Sequence, residues 1–544
     1  TVVRPGAPEQ VSSVVTDHAA LAPLYVLAAT AVLVLLVEIF LTRPTGTRWR
    51  AWCVPSIAGL GVTLAGVAAL LVTGGGSRSS FCISGGKLRS GVTVDAACSY
   101  TTYYATTALT VAVCVIVLLV LGLSAPLLAD SQTPVGEYCF LLLCSLLGAV
   151  VLFGARDLLT LLVATEALTL PLYVLVAMGR ARRGISCAAV FFAVSVVSTA
   201  ISLLGASLLY AVVGVVHFEQ VTTVLAQRPD GVDVPVLYAA MLLVLGGLLF
   251  KLAAVPFHGW APGSYDAAPL PIAAYLTTVS KVGGVVAVLL VVVAALGSYL
   301  TQFALVLAVI AAASMTLGNL AALRQVRLGR LLAWSSIAQL GYVLAPVGAL
   351  YAVSAGADRV EDVTGLLAGG LGYLALYLLV TMALFGAVVL LRIPHDDAGR
   401  LADVHGVARR RPWLGASLLL GLAGLAGLPP AFAGLFAKLA VLRGLIDAGV
   451  IWLAVLVAVN AVIGLAVYGR VALACFASPD AAVPPETEPA KTGSEAVERS
   501  PLSMKLASVT VLVATALVVA VGFAPQLVLG PCDAIAASLA ALLM

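Results

Sequence analysis

Four charged side chains stand inside long apolar runs: Glu166, Lys251, Lys281 and Lys438. Glu166 sits mid-run in LLTLLVATEALTLPLYVL. Lys251 follows the uninterrupted apolar run 236–250, and Lys281 lies near the centre of the run 270–296. Lys438 follows a proline pair in GLAGLPPAFAGLFAKLAVL. A lysine at bilayer depth costs roughly 2.5–3.5 kcal/mol on insertion scales, so its presence asks for a chemical reason. Proton transfer is one such reason. A lysine that passes protons must titrate near neutral pH, roughly three units below its ordinary value of about 10.4. Burial in apolar surroundings supplies shifts of about 3–5 units, and a nearby carboxylate opposes them. Making and loosening a pair between Lys251 and Glu166 would therefore switch a lysine's proton affinity. Arginine stays charged at all working pH values, so lysine is the residue suited to this work. The alternative is a buried ion pair that only fixes helix packing.

These residues need helices to position them. The chain is 62% hydrophobic and 10% charged, against about 25% charged for soluble domains. The class is an all-α polytopic membrane protein, with apolar spans at about 21–41, 52–73, 104–129, 137–153, 158–178, 187–216, 235–257, 268–296, 302–323, 331–353, 364–391, 412–442, 450–476 and 506–528. None of the runs alternates as barrel strands do. With the N-terminus outward, the odd-numbered loops hold 18 basic residues and the even-numbered side holds 8. That asymmetry places the odd loops in the cytoplasm and both termini outward. The remaining three of the 29 basic residues are the intramembrane lysines.

Five domains follow: 1–136 with an outward loop 74–103, a five-helix unit 137–296, a second five-helix unit 302–476, a flexible linker 477–505, and a last helix with its tail, 506–544. Two consecutive units of five spans must insert with opposite topology, the inverted-repeat plan of many transporters. Pro256 lies five residues after Lys251, and Pro429 and Pro430 lie just before Lys438. Helices 7 and 12 are therefore expected to be discontinuous.

Lesser candidates are His258 after a proline break, Gln339 in SSIAQLGY, and Glu38 near the end of the first span. Each has a bland reading as well: a helix-end hydrogen bond, polar packing between helices, and a snorkelling end residue. His217, at an outward span end, reads as structural. Cys82 and Cys98 share the outward loop and can pair there if it faces an oxidising side. The nine cysteines show no metal-ligand spacing, and no nucleotide-phosphate loop is present. The net charge of +4 is small and gives no footprint for nucleic acid.

FKLAAVPFHGWAPGSYDAAPLPIAAYLTTVSK and GRLLAWSSIAQLGY resemble the seventh, eighth and tenth helices of the antiporter-like membrane subunits of respiratory complex I and of multisubunit cation/proton antiporters. The resemblance spans about 137–476. LTLPLYVLVA and GNLAALRQ look most like the subunit N branch, and lysine rather than glutamate at 438 disfavours the M branch. It implies that Glu166, Lys251, Lys281 and Lys438 carry protons. It also implies no catalytic redox centre or cofactor in this chain. FMN, iron–sulfur clusters and a quinone site would belong to partner subunits, and the other antiporter-like subunits would be neighbours in the bilayer. Two departures stand out: Gln339 replaces a histidine common in relatives, and AFAGLFAK lacks the usual GFxGK pattern. A sodium/proton antiporter subunit is the alternative the same resemblance allows, and a scaffold that transports nothing is a third reading.

Overall fold

Apolar runs that cannot bond water must satisfy their own backbone, and in this chain they do so as helices. The computed structural model describes residues 15–42, 47–74, 76–88, 91–130, 133–179, 182–227, 233–295, 299–353, 359–392, 398–477 and 501–541. The expected linker 477–505 lies mostly outside the described residues. Among the described residues, thirteen helices are long and apolar enough to cross a membrane.

The first six spans are α1 (Ala22–Val37), α2 (Thr47–Thr73), α3 (Tyr104–Leu128), α4 (Val135–Gly154), α5 (Leu158–Ala177) and α6 (Arg182–Val213). A short α7 (Phe218–Gln227) leads to α8 (Val234–Leu252) and α9 (Ala261–Ala267). The eighth span is α10 (Leu270–Thr277) plus α11 (Val279–Leu289). Then come α12 (Leu300–Leu323), α13 (Leu328–Ala349), α14 (Arg359–Arg392) and a single turn, α15 (Val407–Arg410). The remaining run 412–442 forms α16 (Pro412–Ala426) and α17 (Phe432–Asp447), which together make a fourteenth, divided span. The chain closes with α18 (Ile451–Phe476), α19 (Pro501–Phe523) and α20 (Gln526–Ala540).

Both expected breaks are present. After α8 the chain turns through Ala253 at φ 56° and reaches Pro256, which has no backbone donor. After α16 it turns through Gly427 at φ 79° and reaches Pro429 and Pro430. A third break is not expected from the sequence. Thr278, at φ −117° and ψ −88°, divides the eighth span into α10 and α11 with no proline at the division. Helices 7, 8 and 12 are therefore all discontinuous. The tail, too short for a span, packs as α20 against α14 and α3.

The eighth span and α13 are buried along almost their whole length, so they form the axis of the bundle. The outer helices carry large exposed apolar side chains, among them Leu71, Val163, Leu473 and Phe523, as a lipid-facing surface requires. Where α16 and α17 cross, a Cβ at Gly434 would stand 1.7 Å from the Gly424 carbonyl oxygen, so only glycine allows that approach.

The loops sort to two faces. In the loop 74–103, β1 (Arg78–Ile83) pairs antiparallel with β4 (Ala97–Thr102), and β2 (Gly86–Lys87) pairs with β3 (Thr93–Val94). A disulfide joins Cys82 to Cys98 across the first pair. Ser99 in β4 bonds the His217 ring at 3.3 Å, and its carbonyl accepts from the Arg156 amide at 2.9 Å. Gln220 donates to the Asp95 carbonyl at 2.8 Å. The loops after spans two, four and six thus meet on one face. On the other, Arg327 pairs with Asp266, Arg470 donates to the Leu323 and Gln325 carbonyls, and Leu328 bonds the Gly399 carbonyl. That alternation is what fourteen crossings require.

Burial pushes the His217 imidazole below its ordinary pKa, against the pull of Asp157 and Glu219. Its neutral form therefore stabilises this face above about pH 6.5, and that contribution is lost as the pH falls through the depressed value. Acidification should raise the protease sensitivity of residues 78–102, and His217→Gln should remove the pH dependence of cleavage. A cleavage rate in the native chain that ignores pH would exclude this role.

Candidate functional site

Asp157 caps α5, accepting from the Thr160 amide at 2.7 Å, and this fixes the helix that carries Glu166. Lys251 lies in the last turn of α8, opposite α5 and α6. Its ammonium reaches Glu166 Oε1 at 2.7 Å, Thr169 Oγ1 at 3.1 Å and Ser195 Oγ at 2.6 Å. Three N–H donors thus meet three acceptors. The Thr199 hydroxyl donates to the same Glu166 oxygen, and Tyr173 donates to Ser195. The Lys251 side chain is 5% exposed and that of Glu166 23%. Removing one partner of such a pair strands a buried charge, at a cost of about 3–5 kcal/mol.

Lys281 has a different partner. Its ammonium donates to the Leu252 carbonyl, the final residue of α8. Lys438 behaves alike in the second half. It donates to the Leu425 carbonyl at 3.1 Å and the Ala426 carbonyl at 2.6 Å, at the end of α16. Both lysines therefore cap the C-terminus of a helix that stops inside the bundle. Judged by its partners, the counterpart of Lys438 is Lys281. Proximity to proline in the sequence had pointed to Lys251. Lys438 also lies 5.6 Å from the centre of the Tyr342 ring.

Gln339 joins this second centre. Its amide donates to the Leu425 carbonyl at 3.4 Å and to Tyr468 Oη at 2.7 Å, and its oxygen accepts from Tyr373. Ser335 bonds Tyr468 at 2.7 Å, and Tyr377 donates to Ser336 at 3.1 Å. Gln339 and Lys438 thus converge on one carbonyl, with a shell of buried hydroxyls behind them. Those tyrosines and serines are absent from the residues expected from sequence, as are Thr169, Ser195 and Thr199. Only their spacing, one helical turn apart on α5, α13 and α14, hints at shared faces.

The other candidates stand apart. The His258 ring lies 5.1 Å from that of Trp334, and among the described residues no hydrogen bond links it to the lysines. Glu38 pairs with Arg50 and packs so tightly on α4 that a Cβ at Gly136 would lie 2.4 Å from its Cγ. It ties α1, α2 and α4 together. Among the described residues no His, Cys, Asp and Glu side chains are grouped to hold a metal.

Residues 155–464 match the family model described as NADH:quinone oxidoreductase/Mrp antiporter, transmembrane. The chain is 48% identical to NADH-quinone oxidoreductase subunit N of Salinispora tropica over 94% of its own length and 98% of that protein. It is 39% identical to subunit N 2 of Streptomyces griseus, over 96% and 94%. Among solved structures, a chain of respiratory complex I from Thermus thermophilus superposes with a TM-score of 0.68 at 28% identity, covering 93% of this chain and 98% of that one. A chain of the Mrp complex from a Dietzia species gives 0.74 at 21% identity, over 96% and 99%, and so shares the fold.

At Gly427, φ is 79° and an added Cβ would stand 2.9 Å from Lys438 Cδ. Gly427→Ala therefore faces left-handed strain of about 1–2 kcal/mol and a displaced lysine. Thermal unfolding of the assembled protein in detergent should shift down, whereas Gly365→Ala, at a helix-interior site with open space around it, should not lower it. Equal midpoints for the two variants would refute the capping geometry.

Proposed function

The chain belongs to the NADH:quinone oxidoreductase/Mrp antiporter transmembrane family, and from that premise we propose that it is a proton-translocating membrane subunit, of the subunit N type, in an NADH-quinone oxidoreductase. The observation that carries the proposal is the Glu166–Lys251 pair, a buried lysine on a half-buried glutamate with every ammonium hydrogen bonded, among helices built mainly of apolar residues. Two further lysines on broken helices support it.

In this reading Glu166 holds the Lys251 proton and releases it when the pair loosens. Lys281 and Lys438 are the next two stations, each tied to a helix end whose movement changes its acceptors. A proton enters near Lys251 and Lys281, crosses the buried axis through α13, and leaves near Lys438. The chain supplies proton binding and orientation. Flavin, iron–sulfur and quinone chemistry belongs to partner subunits and drives the movement. The alternation of the loops, together with the 18 against 8 basic residues, supports a cytoplasmic face carrying the odd loops and both termini outward in a bacterial plasma membrane. The two five-helix units 137–296 and 302–476 are proposed as an inverted pair on the strength of their matching helix-end lysines.

A sodium/proton antiporter shares the fold, and isolation of the native assembly separates the two readings. Co-purification in mild detergent with flavin- and iron–sulfur-bearing subunits supports the proposal. Small membrane subunits without redox cofactor would overturn it. In the assembled enzyme, Lys251→Ala and Lys281→Ala should each slow proton transfer through this subunit by roughly 100-fold or more, the scale of a lost general acid–base group. Glu166→Gln should impair it through the pair. Reconstituted vesicles with a pH-sensitive dye make the measurement. A normal proton yield per NADH in assembled variants would sink the mechanism.

A further inference from the structure

The stretch GNLAALRQ, residues 318–325, holds none of the proposed proton stations, yet it reaches one of them. We propose that its asparagine, Asn319, and Asn460 of α18 clamp Tyr342, and that the clamped Tyr342 is a positioning residue for the Lys438 ammonium, an inference that rests on the proton-translocating reading.

The glycine of the stretch makes the approach possible. A Cβ at Gly318 would stand 2.6 Å from the Ala338 nitrogen, so glycine lets α12 lie hard against α13. Asn319 then comes within reach of Tyr342, one turn beyond Ala338. Its amide donates to Tyr342 Oη at 3.5 Å. The same amide donates to Asn460 Oδ1 at 3.2 Å and to the Asn460 carbonyl at 3.1 Å. The Asn460 amide in turn donates to Thr316 Oγ1 at 3.1 Å and to the Leu456 carbonyl at 3.0 Å. Asn319, Tyr342 and Asn460 are all buried, where a broken bond would leave polar atoms without water. The phenol oxygen is thus held from two helices, α12 and α18.

The ring itself meets the lysine. The Lys438 ammonium lies over the Tyr342 face, 5.6 Å from its centre, while donating to the Leu425 and Ala426 carbonyls. Tyr373 stacks on Tyr342 at 5.4 Å and donates to Gln339, one turn before Tyr342 on α13. A ring face attracts an ammonium through its quadrupole and has no such attraction for a neutral amine. Tyr342 therefore binds the lysine in the state that carries the proton, and no proton passes through the ring. The titratable groups nearest Lys438 are phenols: Tyr342 of α13, Tyr373 of α14, and Tyr468 of α18 behind Gln339. α16 carries no titratable side chain. α19 meets Phe432 of α17 through Gly522 and Phe523, far along that helix from Lys505. Glu361 and Asp362 of α14 line a cavity with Arg443 and Asp447 of α17, which pair at 3.5 Å. Arg470 of α18 is bound to the Leu323 and Gln325 carbonyls.

The competing role is structural: three buried residues that only pack α12, α13 and α18 together. The pH profile of pumping by the complete assembly, reconstituted in vesicles, separates the two. Tyr342→Leu removes the ring, so the alkaline pH at which pumping falls to half should move down by roughly 0.5–1.5 units. Tyr342→Phe and Asn319→Leu lose the bond between the two residues and keep a ring. Their midpoints should match and lie between those of the native chain and Tyr342→Leu. Fluorinated phenylalanines at 342 keep the shape and weaken the ring's attraction for a cation, so the midpoint should step down from Tyr342→Phe with each added fluorine. They also decide the matter if Tyr342→Leu fails to assemble. A midpoint unmoved by Tyr342→Leu or by fluorination overturns the proposal, and unequal midpoints in Tyr342→Phe and Asn319→Leu overturn the clamp. Lys438→Met runs alongside. If it pumps normally, the proton-translocating reading has failed; if it loses pumping while the Tyr342 variants keep the native midpoint, only the role of Tyr342 has.

Discussion

A helix that ends inside a bilayer leaves carbonyl oxygens with no water to bond, at a cost of several kcal/mol each. Three described helices end at breaks of this kind, and two of them, α8 at Leu252 and α16 at Ala426, are each answered by a lysine ammonium. The partial negative charge of a helix C-terminus adds to the attraction. Break and lysine therefore depend on one another. Without the lysine the carbonyls are stranded, and with a continuous helix the lysine would lose its acceptors. Transporters with broken helices hold diffusible cations at such half-helix ends. Here the cation is a side chain tethered to the same protein.

Lys251 is bound on other terms. A carboxylate and two hydroxyls saturate its donors, so its charge is matched by a charge and not by dipoles alone. Three lysines thus form two kinds of site. The pair responds to any movement of α5 against α8, while the capping lysines respond to the helix breaks themselves. α9 lies against both kinds of structure, because Trp260 bonds the backbone beside Lys251 and Tyr265 bonds the backbone before Lys281. Small shifts of this segment would be felt at each.

Much of this was legible in the chain. Glu166 and the three lysines stand out because a charge within an apolar run is rare and expensive. Pro256, Pro429 and Pro430 mark two breaks because proline removes a backbone donor. The break at Thr278 carries no such mark; the run 270–296 reads as one continuous span. The hydroxyl network was hidden for a related reason. Serine, threonine and tyrosine occur freely in apolar helices, where Ser and Thr can bond their own backbone, as Thr277 does to Ala274. Nothing local separates Ser336, which accepts from Tyr377 on another helix, from a hydroxyl that bonds only its own helix.

The sequence by itself determined the membrane class, the apolar spans, and which charges stand within them. Those properties follow from transfer free energies that each residue carries wherever the chain folds. Tertiary structure alone decided the partner of each lysine. Lys251 meets a glutamate 85 positions away, Lys281 meets a carbonyl 29 positions away, and Lys438 shares its carbonyl with a glutamine on another helix. A hydrogen bond depends on distance and direction between groups on separate helices, and neither exists until the helices pack.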